Sequence, residues 1–451
     1  MLNFLRKITP KLLIKAYHYL LALAADFFYR HPSDKLIVIG VTGTSGKSSV
    51  VYLVSRILEK AGFKVGAAST ILFKVNKKEW LNDKKMTMIG RFALQRLIKR
   101  MVKANCQYAV IETTSQGIEQ FRHLGINYDV LVFTNLYPEH IEAHGSFENY
   151  KNAKLKLFRG LKKESSKLIA GQKIKKIIIA NLDDEHADDF LNNWAEEKIG
   201  FTLGDKIINQ GQTVKAEKVS VGADGSGFNI NGCSFELKLL GRHNIYNCLA
   251  AIGVGLSQGL ELAGMASGLS KVLSLPGRIE FIESIDRRQN FKIIVDYAFE
   301  PKAMEALYQS LKNNSYKKII HVLGSAGGGR DKSRRPKLGE LAGRNGDIVI
   351  VTNEDPYDED PWEIINQVAA GAAAAGKEEN ENLFKILDRR QAIAKAINLA
   401  GEKDLILITG KGSEQAMAVS GGKKIPWDDR EVAREELGKI ANRGSQIADR
   451  K

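Results

Sequence analysis

The sequence predicts an α/β protein built mainly on parallel sheets. Three observations carry that expectation. An apolar run at 36–39 leads into the glycine-rich stretch GVTGTSGKSS, 40–49, and then into a helical run, 50–60. Short apolar runs alternate regularly with helical ones from residue 292 onward. Between these regions, residues 200–240 are rich in Gly and Val and read as short strands of a small inserted sheet. A chain of 451 residues has room for two or three domains, and 44% apolar content suffices for ordinary cores.

Ahead of the glycine stretch, 11–30 reads as a helix. Leu12, Leu13, Leu20, Leu21, Leu23, Phe27 and Phe28 form a broad apolar face, and Lys11, Lys15, His18, Ala22 and Asp26 a narrow opposite stripe. The uncharged run 16–25 is shorter than the roughly 20 residues that a bilayer span needs. Basic residues before it and Ala22-Leu23-Ala24 within it mimic a signal peptide, a reading set aside because a nucleotide loop begins a few residues later. The broad face is expected to pack on the following domain; peripheral membrane contact through residues 1–30 is the alternative.

Strand, glycine loop and helix together form a phosphate cradle, in which loop N–H groups and the helix N-terminus face an anion. Lys47 would reach the terminal phosphates and Ser48 would ligate Mg²⁺ in a P-loop-type ATPase domain. The strict GxxxxGK[ST] pattern fails by one residue, because position 41 is Val and the early glycine is Gly40; TGTxGK[ST] fits instead.

Further along, 64–69 reads as a strand, 71–85 as a hairpin or loop, and 91–104 as a helix. A buried-type strand at 108–111 ends in Glu112, where a second Mg²⁺ contact belongs beside a phosphate loop. Strands follow at 129–133 and 175–180. In the last part they fall near 292–296, 318–323, 347–351, 383–387 and 404–408, an open, mainly parallel sheet with helices on both faces and thus a Rossmann-like domain.

The net charge of +15 calls for acidic partners. Nucleotides and carboxylated substrates meet that need. The basic residues are scattered over 74–85, 151–167 and 173–176 without interleaved aromatics, so no nucleic acid partner is expected. Cys106, Cys233 and Cys248 lack metal-site spacing and cannot all pair, which suits a reducing cytoplasm.

These motifs, in this order, resemble the Mur ligase superfamily of ATP-dependent amide-forming ligases over roughly residues 35–440. The resemblance implies that Gly43, Thr44, Ser45, Gly46, Lys47, Ser48 and Ser49 hold the ATP phosphates. In ETTSQGIEQ, 112–120, Glu112, Thr114 and Ser115 fall on a Glu, Ser, Ser of the family. TNLYPEHIEAHGSFENYKNAKLKLF, 134–158, places His140 on a Mg²⁺-binding histidine and Lys154 on a lysine that is carbamylated in most members, so that it becomes an anionic oxygen ligand. Lys47, Glu112, His140 and Lys154 are then the catalytic set, and Ser48, Glu112, His140 and Lys154 the metal set. NLDDEH, 181–186, resembles the family's N-x-D-D turn. GRHNIYNCLAA, 241–251, puts Asn247 at the adenine, and LPGRIE, 275–280, marks a hinge at which Arg278, with Asp296 beyond it, reaches ATP.

GGGRDKSRRP (327–336), TNEDPYDEDP (352–361), DRRQAI (388–393) and GKGSE (410–414) resemble the amino-acid-binding edge of the muramyl-tripeptide synthetase branch. Arg330 and Glu414 would hold the ends of the incoming amino acid, with Glu354, Asp355, Tyr357 and Gly410 around it. Thr87, Thr114, Ser115, Gln120 and Arg122 would face the other substrate. The chain departs from that branch at several points. Tyr357 stands where an arginine pairs with a distal carboxylate, Ser413 replaces a histidine, Lys302 an acid, and the usual domain that grips a UDP-sugar has no counterpart in residues 1–34.

The resemblance thus implies a helix at 1–34, a central ATP-binding domain at 35–277 and a C-terminal domain at 278–451. With ATP and Mg²⁺, a cytoplasmic monomer of this kind would activate a substrate carboxylate as an acyl phosphate. It would then join it to an amino acid, adding a diamino acid to a UDP-N-acetylmuramoyl dipeptide in peptidoglycan precursor synthesis. The alternatives are a polyglutamate-type or lipid-linked acceptor, or a non-catalytic nucleotide-binding subunit.

Overall fold

A computed structural model of the chain describes residues 10–139, 144–283 and 290–448. It forms two compact units, the first running to residue 272 apart from 221–225 and 238–241, the second holding those short segments and everything from residue 273.

The first unit is built on a nine-stranded sheet. Its strands are β1 (Ile37–Thr42), β2 (Val65–Ala68), β3 (Leu72–Val75), β4 (Lys78–Leu81), β5 (Tyr108–Glu112), β6 (Val130–Phe133), β7 (Ile177–Asn181), β8 (Glu197–Thr202) and β9 (Gln212–Lys215), in the order β9-β8-β7-β6-β1-β5-β2-β3-β4. From β9 to β2 every neighbour is parallel, and the β2-β3-β4 edge is antiparallel. The central strands are buried almost throughout (Ile37 alone of IVIGVT and VLVF is half-buried), as such near-continuous runs require in a sheet covered on both faces. The expected hairpin at 71–85 extends the sheet as β3 and β4. Of 200–240, expected as the small inserted sheet, only Glu217–Val221, Ser226–Ile230 and Cys233–Leu237 form it, as three strands; the earlier part joins the large sheet as the end of β8 and as β9.

Helices of this unit include α1 (Lys11–Tyr29), α2 (Lys47–Lys60), α3 (Arg91–Lys103), α4 (Phe147–Gly160) and α5 (Arg242–Ser257). Each of the last four turns apolar residues onto the sheet or a neighbouring helix. Helix α1 does the reverse of what its pattern predicts. Ala22, Ala25 and Asp26 are buried, whereas Leu12, Leu13, Leu20, Leu23, Phe27 and Phe28 are exposed. The cause is close approach: the small Ala pair lets α1 lie against α3, and the Asp26 side chain sits where Gly125 has no Cβ to obstruct it. Asp26 also binds His31 Nδ1 at 2.6 Å. A narrow stripe of small and polar residues therefore makes the contact.

The second unit is built on a six-stranded sheet, β10 (Glu280–Ile282), β11 (Lys292–Asp296), β12 (Ile319–Leu323), β13 (Ile348–Thr352), β14 (Leu383–Ile386) and β15 (Leu405–Thr409), in the order β10-β11-β15-β12-β13-β14. All pairs are parallel except the edge pair β10-β11. Its two faces are covered by separate apolar clusters, one around Leu307, Leu338 and Val368 and one around Ile393, Ala396 and Val432.

Candidate active site

Strand β1 ends at Thr42 and α2 begins at Lys47, which leaves a four-residue loop between them. Two of its residues have to be glycine. Gly43 has φ +152°, and a Cβ there would lie 1.9 Å from Thr134 Oγ1; Gly46 has φ +79°, and its Cβ would lie 2.4 Å from Asn247 Oδ1. Neighbouring elements brace the loop. Thr44 N donates to Asn135 O (2.9 Å), Ser45 N to Asn135 Oδ1 (2.9 Å) and Thr134 Oγ1 to Ser45 O (2.7 Å). From α4, the Lys154 ammonium donates to Gly43 O at 2.7 Å, and the Tyr150 hydroxyl to Thr44 Oγ1 at 3.1 Å. Lys154 is only 1% exposed and lies 4.3 Å from the Tyr150 ring centroid. Lys47 Nζ donates to Thr44 O at 2.8 Å. Gly46 contributes no side-chain cap to α2, and Ser48 and Ser49 are buried in its first turn.

Glu112 ends β5, in register with Val41 of β1. That pairing brings it to Ser48, whose Oγ donates to Glu112 Oε2 at 2.7 Å. Thr70 adds its N–H (2.7 Å) and hydroxyl (3.1 Å) to the same carboxylate, and Thr87 Oγ1 lies 2.8 Å from the Thr70 hydroxyl. A buried carboxylate and hydroxyl beside this glycine-bent loop are hard oxygen donors of the kind that suit Mg²⁺. Among the described residues, here or elsewhere, no three His, Cys, Asp or Glu side chains gather to hold a metal. His140 lies outside the described residues.

On the next turn of chain, Thr114 Oγ1 caps the short helix Ser115–Glu119 by accepting from Gly117 N at 3.1 Å. Ser115 Oγ lies 3.1 Å from His144 Nε2. Burial lowers the His144 pKa from its ordinary value, Glu119 opposes that, and the lysines 154 and 156 reinforce it. Arg122 donates to the Met88 carbonyl and, at 2.6 Å, to Gln120 Oε1; Arg91 donates to the Gln120 carbonyl. Asn247 Nδ2 donates to Asn244 Oδ1 at 3.0 Å, and its oxygen faces Gly46. Sequence reasoning missed His144, Thr70 and Asn135. His144 had a signal, the HxxxH spacing it shares with His140, and Asn135 stood in the quoted TNLYPEH block without being singled out; Thr70 had none, because its partner Glu112 is distant in sequence.

In the second unit, Lys411 is the hub. It is fully buried, and its ammonium donates to Asp355 Oδ1 (3.0 Å) and Oδ2 (3.1 Å), Glu414 Oε2 (2.6 Å) and Ala416 O (2.7 Å). The GKGSE motif contained it, but it was not singled out. Glu354 sits against Gly410, and burial, with Asp355 next to it, raises its pKa. Against the opposing effect of burial, Tyr357 is an electrostatic neighbour that helps to hold the Arg330 pKa above its ordinary value, and Tyr357 takes φ +53° with its ring against Gly328. The Tyr297 hydroxyl donates to Glu414 Oε1 at 3.4 Å. Arg278 lies 4.2 Å over the Tyr297 ring, and Asp296 accepts from Ile279 N and Ala298 N, both at 2.7 Å. Two other arginines of the quoted motifs are committed inside the unit: Arg335 to Glu359 and Gln367, and Arg389 to Asp429.

Residues 41–255 match the Mur ligase middle domain and 277–412 the Mur ligase, glutamate ligase domain. A UDP-N-acetylmuramyl-tripeptide synthetase of Roseiflexus sp. (strain RS-1) is 37% identical over 94% of this chain and 83% of its own length. A UDP-N-acetylmuramoyl-L-alanyl-D-glutamate–2,6-diaminopimelate ligase of Geobacillus kaustophilus is 34% identical over 94% and 83%. Among solved structures, one of a ligase of that second name aligns with a TM-score of 0.59 at 25% identity, covering 90% of this chain and 79% of the other. Folylpolyglutamate synthase of Mycobacterium tuberculosis shares the fold, with a TM-score of 0.67 at 16% identity over 93% of this chain and 95% of its own.

Proposed function

We infer the reaction from one premise: this chain belongs to the Mur ligase family and is, with that family, an ATP-dependent, ADP-forming ligase that makes carbon–nitrogen bonds. Our reading is that it adds a diamino acid to a UDP-N-acetylmuramoyl dipeptide in peptidoglycan precursor synthesis, in the cytoplasm, where ATP is supplied. The observation that carries it is the Ser48–Glu112 pair beside a loop that needs glycine at 43 and 46, in a chain whose relatives above 30% identity include a muramyl-tripeptide synthetase and a diaminopimelate ligase.

The chain's own groups divide the work. Loop N–H groups other than those of Thr44 and Ser45, which donate to Asn135, join the α2 N-terminus and Lys47 in holding the ATP phosphates and take up the charge that develops as the γ-phosphoryl group moves. Mg²⁺ bound at Ser48 and Glu112, with His140 and a carbamylated Lys154 as further ligands, would supply charge neutralisation between the phosphates. Thr70 and Thr87 hold the Glu112 carboxylate in place. Ser115, Gln120 and Arg122 orient the carboxyl-bearing acceptor, which takes the γ-phosphoryl group to give an acyl phosphate and ADP. Arg330, Glu414 and the Asp355–Lys411 pair hold the amino acid while its amine attacks the acyl carbon and phosphate leaves. Positioning and charge compensation supply the rate.

The test is ADP and phosphate release with product mass, using UDP-N-acetylmuramoyl-L-alanyl-D-glutamate and a panel of amino acids. Product formation with a diamino acid supports the reading. Turnover only with polyglutamate-type or lipid-linked acceptors, or none with any, overturns it. Tyr357, a neutral phenol with one hydroxyl, cannot make the bidentate pair that an arginine makes with a second carboxylate. L-lysine should therefore outperform meso-diaminopimelate in that panel.

A further inference from the structure

Helix α1 presents its apolar side outward. Leu12, Leu20 and Phe27 are 78%, 63% and 77% exposed, and Leu13, Tyr17, Leu23 and Phe28 join them on that side. The helix cannot roll to hide this face without surrendering the contact that Ala22, Ala25 and Asp26 make, including the Asp26–His31 pair. The patch continues onto α3. Phe92 is exposed and lies 6.0 Å from the Phe28 ring and 6.3 Å from Tyr29. An apolar surface of this kind marks an interaction site.

Charge indicates the occupant. Residues 1–30 hold Arg6, Lys7, Lys11, Lys15 and Arg30 against the single acid Asp26, and that acid is buried and paired. Helix α3 contains no acid, and beyond Phe92 it exposes Arg96, Arg100 and Lys103. A second copy of the chain docking symmetrically would set this basic rim against itself. An anionic bilayer satisfies both parts, with acyl chains for the apolar face and headgroups for the rim.

We propose that α1 lies in the plane of an anionic lipid surface, with its Leu12–Phe28 face among the acyl chains and the exposed basic residues beside it, Arg30 and those of α3, on the headgroups. By length and composition Leu12–Tyr29 could also span a bilayer, but spanning would pull the packed stripe with Asp26 away from α3, whereas lying in the plane leaves it in place. The same helix touches the acceptor-side segment, since the Tyr19 and Phe121 rings are 5.7 Å apart. A bound membrane would thus run beside Gln120 and Arg122; that last point alone rests on the function proposed above.

The experiment is flotation of the full-length protein with phosphatidylcholine vesicles made with and without phosphatidylglycerol. The protein should float with the anionic vesicles and lose binding partly as salt rises. Replacing the exposed Leu13, Leu20 and Phe27 by serine should weaken binding roughly tenfold or more without lowering the melting temperature. If that triple variant fails to fold, Arg96→Glu with Lys103→Glu decides the matter, since it should abolish the preference for anionic vesicles. Absence of flotation, flotation indifferent to both variants, resistance to alkaline carbonate extraction, or a dimer that the triple variant dissociates without any vesicle binding would each overturn the proposal.

Discussion

Lys47 donates to the carbonyl of Thr44, within its own loop, so its ammonium is already held at the mouth of the cradle. We predict that Lys47→Ala lowers turnover by about a hundredfold or more while the melting temperature stays put. Near-normal ADP release from a folded variant would remove the phosphate-loop assignment. Lys154 invites a sharper test, because its nitrogen both braces Gly43 O and is the atom that would carry a carbamate. Lys154→Ala should lose activity, and added formate or acetate should restore part of it if an anionic ligand is what was lost. Rescue by Lys154→Arg but not by carboxylates would show that the ammonium itself does the work. His321 tests pH. It is buried between the Tyr308 hydroxyl (2.6 Å) and Thr409 Oγ1 (2.9 Å), and burial, with Arg389 near, lowers its pKa from 6.5 to about 3. The unfolded chain therefore binds a proton that the folded one refuses as pH falls through that window. His321 should cost about 2 kcal/mol of stability between pH 7 and pH 5. Denaturant melts of wild type and His321→Gln check this; equal slopes of stability against pH would refute it.

At the scale of elements, the loop between β1 and α2 works because strand and helix are clamped from three sides, by the 134–135 segment, by α4 and by Asn247 of α5. Gly46→Ala should cost about 1–3 kcal/mol, from the positive φ and from the encounter with Asn247, and should abolish nucleotide binding. Gly62→Ala, at φ +91° in open space after the same helix, bears only the backbone strain. It serves as the control and should keep binding. Equal nucleotide affinity in the two variants would contradict the cradle. The strands and helices themselves were legible because their signals are local. Near-continuous apolar runs such as YAVIE and LILIT state burial on both faces directly. The antiparallel edge strand β10 was not, since a three-residue strand after a proline-glycine turn carries no periodicity.

At the scale of the whole molecule, two units with separate cores carry different halves of the candidate chemistry. The phosphate loop and the Ser48–Glu112 pair belong to the first unit, so ADP with Mg²⁺ should stabilise that unit, by about 2.7 kcal/mol at a hundredfold excess over Kd. Hydrogen exchange should show the protection on peptides around 43–60 and 108–115, and chelating the metal should reverse it. Protection confined to the second unit would contradict this assignment.

The sequence by itself determined the fold class and the family, since each is written in residues adjacent in the chain or in ordered motifs. It named Glu112 and Ser48, although 64 positions separate them. Only the tertiary structure decided which groups those motifs meet: His144 on Ser115, Thr70 on Glu112, Lys411 between Asp355 and Glu414. It also decided the orientation of α1, where hydrophobic pattern pointed the broad face inward. A pattern records how much apolar surface a helix has. Which side turns inward depends on how closely a neighbour can approach, and here the alanines and the missing Cβ of Gly125 allowed the narrow side to win.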